Sequence, residues 1–239
     1  MNLALLDEAG ELGAGDDGVA FYEVDGLIEV EELYGKGRKN GKQLDYYKNG
    51  NLYMEEFFQH GEKNGKQLQF YSSGKVKKEE EYEDGRRVGQ QLTYFENGQI
   101  YQRASFKKGE RDGRQFLYYG DGQVREEEFY REGKREGVQL EFDESGRVAQ
   151  RLFYEEGEKN GKQLKYYYNG RVVREELYAR GKKDGRQLEY SPNGQLKSEE
   201  FYEQGRKDGK QLYYFSNGRL RKQELYSSGR KVGRTVYHR

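Results

Sequence analysis

Gly37-Arg-Lys-Asn-Gly41-Lys-Gln-Leu-Asp-Tyr-Tyr-Lys-Asn-Gly50-Asn-Leu-Tyr-Met-Glu-Glu-Phe-Phe-Gln-His60 is a template that the chain repeats seven more times without an insertion. Gly37, Gly61, Gly85, Gly109, Gly133, Gly157, Gly181, Gly205 and Gly229 stand 24 residues apart. A second glycine follows four residues after each, and a third closes an Asn-Gly-like pair at Gly50 and its equivalents. A fixed period of this length is the signature of a repeat architecture, in which each unit buries its apolar face only against its neighbours. Positions are numbered here from the first glycine of each repeat.

Working outward, residues 13–36 are a worn copy of the template, with Phe21, Tyr22, Asp25, Gly26, Ile28 and Tyr34 on template positions and Asp17 in place of the second glycine. Residues 1–12 match nothing in the repeat and read as a short helical or irregular N-terminal cap. Eight full repeats fill 37–228, and 229–239 is a closing half-repeat.

Spacing inside the repeat separates strand from helix. Position 16 is aliphatic (Leu52, Val76, Ile100, Val124, Val148, Val172, Leu196, Leu220) and position 22 aromatic (Phe58, Tyr82, Phe106, Tyr130, Tyr154, Tyr178, Tyr202, Tyr226). Six residues apart is one face of a strand but about 120° away on a helix. Some ten residues between glycine turns also suits a strand. The repeat therefore reads as a β-hairpin.

Ser191-Pro192-Asn193-Gly194 places the only proline where a type I turn wants it, with glycine next at the left-handed site, giving a three-residue hairpin loop with a bulge. An uninterrupted register from that loop sets position 10 against 16, 8 against 18 and 6 against 20. It gathers positions 8, 10, 16 and 22 on one hydrophobic face. Positions 6 and 20 carry opposite charges in six repeats, as in Lys162 and Glu176, which is what cross-strand contact predicts. The expected fold is an all-β, elongated repeat protein: stacked antiparallel hairpins in a twisted single-sheet meander.

Composition agrees with a thin structure. Hydrophobic residues make up 33% of the 239 and charged residues 36%, with a mean hydropathy of −1.27. Yet 23 Tyr and 12 Phe, most at fixed repeat positions, are not the make-up of a disordered chain. Lys plus Arg and Asp plus Glu both total 43, so no global field draws the chain to nucleic acid or an anionic membrane. Cysteine is absent, which removes disulfides and zinc–thiolate sites. The start, Met1-Asn-Leu-Ala-Leu-Leu-Asp, lacks the basic region and apolar length of a signal peptide, and a cytoplasmic location is expected.

Tyr82-Glu-Asp-Gly85-Arg-Arg-Val-Gly89, followed by Tyr94-Phe95-Glu-Asn-Gly98, resembles the MORN repeat and specifically its bacterial variant. The match runs over residues 13–239. The resemblance implies stacked hairpins that serve binding or scaffolding and not catalysis. Many bacterial variants are classed as antitoxins of toxin–antitoxin pairs, and eukaryotic members are linked to membranes and phosphoinositides. Here Gly41-Lys-Gln-Leu44 stands where the eukaryotic form tends to carry Gly-x-Gly, which weakens the lipid implication.

Chemistry-bearing motifs are sparse. Gly61-Glu-Lys-Asn-Gly65-Lys66 is one residue short of a phosphate loop and continues with Gln67 where Ser or Thr is needed. His60 and His238 are the only histidines; neither forms a nucleophile–base pair or a metal cluster with anything nearby in the repeat, and no cofactor is expected. Position 7 is Gln in all eight repeats, read as a ladder of amides bonding side to side or to turn backbone. Position 3 is basic throughout. Its column, with Lys159, Lys183 and Lys207, reads either as a solvated turn edge or as an anion-binding track for phosphates or lipid heads.

The candidate partner-binding surface lies opposite the hydrophobic face. Positions 11 and 17 there supply Tyr47, Tyr53, Tyr71, Phe95, Tyr101 and Tyr119, and positions 9 and 17 vary strongly. A constant scaffold with a variable, Tyr-rich face suits protein recognition. The functional expectation is a non-enzymatic protein-binding module, with a toxin as the partner implied by the resemblance. The alternative is a scaffold whose basic edge contacts anionic membrane lipid or nucleic acid. Exposed edge strands also offer a route to oligomers.

Overall fold

The computed structural model describes residues 2–5, 17–24 and 27–238, and every regular element among them is a β-strand. The chain divides into two compact bodies, one ending at Gly122 and one beginning at Gln123. The first contains β1 (Asn2–Leu5), β2 (Gly18–Val24), β3 (Leu27–Gly35), β4 (Arg38–Tyr46), β5 (Leu52–Gln59) and the strands that follow to Gly113–Tyr118. The second runs from Val124–Arg131 to Arg230–Tyr237. Within each body, successive strands pair antiparallel in chain order, as in the pairing of β4 with β5 and of Gly161–Tyr166 with Val172–Ala179. The exception is β1, which lies parallel to β2.

β1 corrects the expectation of a helical or irregular cap over its own span. An edge strand presents unpaired N–H and C=O groups, and Asn2–Leu5 satisfies those of β2. Residues 6–12 of the cap, and Gly13, Asp25 and Gly26 of the worn repeat, lie outside the described residues.

The three-residue loop forms as expected. The Tyr47 carbonyl accepts from the Gly50 N–H (2.8 Å), the Tyr47 N–H donates to the Asn51 carbonyl (2.7 Å), and Gly50 is left-handed at φ 82°. The register beyond it does not continue as expected. Tyr46 faces Leu52, but the next pair is Asp45 with Met54, so Tyr53 is an extra residue, a β-bulge. From there Leu44 faces Glu55, Gln43 faces Glu56 and Lys42 faces Phe57. The same shift recurs where Tyr166 faces Val172 and Lys165 faces Arg174, and where Tyr214 faces Leu220 and Tyr213 faces Lys222.

A one-residue slip moves every later side chain to the other face. Position 6 thus faces 21, not 20, and the 6–20 pairing is overturned. Lys162 pairs with Glu175 (2.8 Å) and Lys66 with Glu79 (2.7 Å), the position-19 acids. The aromatic of position 22 also leaves the face of positions 8, 10 and 16. One face carries positions 6, 8, 10, 16, 19 and 21; the other carries 3, 7, 9, 18, 20 and 22.

Between hairpins the chain turns in two residues. His60 (φ 53°) and Gly61 (φ 91°) are both left-handed, the geometry of a type I′ turn, and non-glycine residues hold the first of these sites throughout. Just beyond, the ladder opens again: Glu32 faces Gln43 and Tyr34 faces Lys39, leaving Leu33 against the kink at Gly41. Gly41 is at φ 104°, and a Cβ there would sit 3.2 Å from Leu33 Cδ1, so the site needs glycine.

Position 7 repairs that gap. Gln43 Oε1 accepts from the Leu33 N–H (3.0 Å) and its Nε2 donates to the Leu33 carbonyl (2.9 Å). Gln67 does the same for Phe57, and Gln163 for Phe153. The amide column bonds the backbone of position 21 in the preceding hairpin, not neighbouring amides. It is also among the best-buried material: among the described residues Gln163 and Gln211 are the largest fully buried side chains. Apolar side chains are mostly half-buried, with Ala104, Phe106, Tyr130, Tyr154 and Leu188 among the few that are closed off. No second layer covers the sheet among the described residues of either body.

Candidate binding surface

Positions 9 and 18 are direct cross-strand neighbours both within a hairpin and between consecutive hairpins. In the first body Asp45 faces Met54, Met54 faces Gln69, Gln69 faces Lys78 and Lys78 faces Thr93. In the second, Glu126 faces Glu141, and Gln150, Lys165, Arg174, Glu189, Ser198, Tyr213 and Lys222 continue the line. Each body thus carries an unbroken ribbon of non-repeating side chains along one face. Sequence reasoning paired position 9 with 17, because without the bulge position 18 faces position 8.

The six aromatics singled out from sequence fall beside that ribbon in the first body. Tyr47 meets Tyr53 edge to face (5.0 Å, 67°), and Phe95 meets Tyr101 likewise (5.1 Å, 69°). In the intervening repeat, position 17 is Lys77, whose ammonium sits 5.6 Å from the centre of the Tyr71 ring. Positions 11 and 17 therefore pair across the bulge in each of these hairpins. Tyr47 Oη donates to the Phe70 carbonyl (2.8 Å) and Tyr71 Oη to the Tyr94 carbonyl (2.6 Å), stitching one hairpin to the next. All six rings, Tyr119 included, are half-buried. Tyr53 reaches the ribbon itself, its hydroxyl accepting from Gln69 Nε2 (3.1 Å).

The basic column at position 3 is not a bare rim. Most of its cations lie between the aromatic rings of position 22 and the carboxylates of position 20; Ala104 and Leu152 stand at position 20 before Arg111 and Lys159. Lys183 bonds Glu176 (2.7 Å) and sits 5.5 Å from the Tyr202 ring; Lys207 bonds Glu200 (2.7 Å) and sits 5.6 Å from the Tyr226 ring. Lys63 with Glu56 and Arg135 with Glu128 repeat the arrangement. Lys159 is held over the Tyr178 ring at 5.5 Å, but the residue at position 20 before it is Leu152. Both charges of this zipper were visible as columns in the sequence; their contact was hidden by the bulge.

Electrostatics on this face follow from half-burial among paired charges. Burial pushes the Asp45 carboxyl up, and Glu56 adds to the rise. Burial also raises the Glu200 carboxyl, but hydrogen bonds from Lys207 and Tyr213 outweigh it and hold the group below the usual range. Tyr202 is pushed up to about 12 by burial and by the Glu200 charge. These are structural ion networks. Among the described residues no cluster of His, Cys, Asp or Glu has the arrangement to hold a metal ion, and no helix is long and apolar enough to cross a membrane. Gly61–Lys66 is the inter-hairpin turn and kink, and His60 stands in the turn itself.

A family model described as "MORN repeat variant" matches residues 39–60, 63–84, 87–108, 111–132, 135–156, 183–204 and 207–228. The unmatched repeat between them forms the same hairpin with the same bulge. No curated protein matches the sequence. Among solved structures, one titled "Crystal Structure of TcdB2-TccC3" aligns at 12% identity with a TM-score of 0.18, covering 89% of this chain and 14% of that one. At that TM-score the likeness carries no assignment of fold or function.

Proposed function

This chain belongs to the MORN repeat variant family, whose repeats are generally protein- or membrane-binding modules, and on that premise we propose that it is a non-enzymatic protein-binding module. The observation that carries the proposal is the ribbon of positions 9 and 18. The columns that recur from repeat to repeat, 3, 7, 20 and 22, are largely consumed in holding hairpins together, whereas the ribbon of positions 9 and 18 varies from repeat to repeat. A partner docking across consecutive repeats meets half-buried rings (Tyr47, Tyr53, Tyr71, Phe95, Tyr101, Tyr119) beside adaptable polar groups such as Asp45, Gln69 and Lys78. Rigid aromatic area with polar contacts around it is what protein recognition surfaces use. The resemblance to bacterial variant repeats makes a toxin protein the first partner class to test.

The alternative, a basic edge that grips membrane lipid or nucleic acid, is less well supported because Lys183 and Lys207 are already neutralised by Glu176 and Glu200. The test is capture of partners from native cells, followed by titration of the captured protein against Gln69→Ala, Lys78→Ala and Thr93→Ala. These are expected to weaken binding while the unfolding transition stays in place. Full affinity in all three, or salt-sensitive binding to anionic liposomes lost with Lys159→Glu, would favour the alternative.

A further inference from the structure

In the second body, the position-3 cations Arg135, Lys183, Lys207 and Lys231 each bond a carboxylate of the preceding repeat: Glu128, Glu176, Glu200 and Glu224 (2.6 to 2.9 Å). Lys159 breaks the series. Leu152 stands where its glutamate belongs, and no carboxylate contacts its ammonium among the described residues. A recess of about 220 Å³ opens at the gap, walled by Leu152, Tyr154, Lys159, Arg135, Gln150 and Glu141. Water's share of liquid volume is about 30 Å³, so the recess has room for a carboxylate and its methylene.

The acids around it are already engaged. Glu128 is bound by Arg135 (2.6 Å), Glu141 by Gln150 Nε2 (2.5 Å) and Glu126 by Arg125 (3.0 Å). What remains unmatched is one ammonium poised over the Tyr178 ring and beside an apolar wall. Elsewhere in the second body's column the fold answers the cation with a glutamate.

We propose that Lys159 and the recess at Leu152 form a socket for an acidic side chain of a protein partner, which completes the Lys–Glu zipper in trans. This rests on the protein-binding reading and names the chemistry of one of its contacts. The socket lies beside the ribbon, with the ribbon's Gln150 and Glu141 in its wall, so a partner on the ribbon reaches it without remodelling the sheet. Leu152 and Tyr154 in the wall and the Tyr178 ring flank the ammonium, so an ion pair formed there is less screened than one in open solvent. Leucine at position 20 is thus a vacancy kept for the partner.

The socket is tested without the partner, by following ¹³C-dimethylated lysine resonances during titration with acetyl-Glu-Glu-amide. The Lys159 signal is expected to move saturably, while those of Lys183 and Lys207 stay in place and acetyl-Gln-Gln-amide has no effect. Leu152→Glu supplies the missing acid in cis, fits a position that is glutamate in neighbouring repeats, and should weaken the response at least tenfold. Lys159→Gln should leave no saturable response at the remaining lysines. A uniform drift of all lysine signals, an equal response in Leu152→Glu, or a stronger response to inorganic phosphate than to the dipeptide would overturn the proposal. Since the probe is the dipeptide, failure here leaves the protein-binding reading to stand or fall on the capture experiment.

Discussion

Replacing Gln163 by Leu should destabilise the second body by ~1.5–4.5 kcal/mol, although leucine is the more hydrophobic residue and the site is almost sealed from solvent. Gln163 Oε1 accepts from the Phe153 N–H (2.8 Å), and Nε2 donates to the Phe153 carbonyl (3.0 Å) and the Asn160 carbonyl (2.9 Å). The Phe153 carbonyl keeps a second donor, the Asn160 N–H (3.0 Å), so it stays paired in the variant. The Phe153 N–H has no such reserve. Stranding it costs ~1–3 kcal/mol, and the lost donor bonds add ~0.5–1.5 kcal/mol. Gln187→Leu is the internal comparison. Its amide donates to the Leu177 carbonyl (2.9 Å), but its Oε1 has no partner, so only the donor share of ~0.5–1.5 kcal/mol is at stake. Urea unfolding gives the two stabilities, and amide hydrogen exchange at Phe153 reports whether the loss is local, as expected where each hairpin leans mainly on its neighbours. Equal costs for the two variants, or a Gln163→Leu protein within 0.5 kcal/mol of the parent by the same measurement, would refute the assignment of the amide column as a backbone splice.

A double-mutant cycle on Lys162 should give a coupling of ~0.2–1 kcal/mol with Glu175 and none with Glu176, whose measurable coupling is instead with Lys183; the reverse result would restore the register without a bulge. Tyr71→Phe removes only the hydroxyl bond to the Tyr94 carbonyl and should lower the urea-derived stability of the first body by ~0.5–1.5 kcal/mol, so an unchanged midpoint would release this ring from its structural role. Stability should fall at both ends of the pH scale. Lys66 bonding Glu79, and Lys231 bonding Glu224, hold these carboxyls below their ordinary 4.5, so their contribution is present above that value and fades as pH drops through the lowered range. Burial, aided by Glu79 and Glu200, pushes Tyr94 and Tyr202 from 10.0 up to about 12, so their contribution is complete below pH 10 and is lost as pH rises toward 12. A thermal midpoint that stays flat from pH 10 to 12 would contradict that second arm.

By itself the sequence determined the period, the strand content, both glycine turns and the three-residue loop at Tyr47–Asn51, because these depend on local backbone preferences and on spacing along one hairpin. It also placed positions 9, 11 and 17 on a common face. What it did not determine was anything beyond the bulge at Tyr53. An extra residue there leaves no compositional mark, since Tyr, Lys, Ala and Val all occupy position 17, yet it reverses the parity of every side chain from Met54 to Phe58. The opposite charges at positions 6 and 20 fitted an unbroken ladder equally well, because position 19 is acidic in most of the same repeats. Only the tertiary structure, in which neighbouring hairpins lie side by side, revealed that Lys183 answers Glu176 and that Gln163 answers Phe153. Both contacts join residues seven to ten apart across a turn, where a one-residue shift in register decides which groups meet.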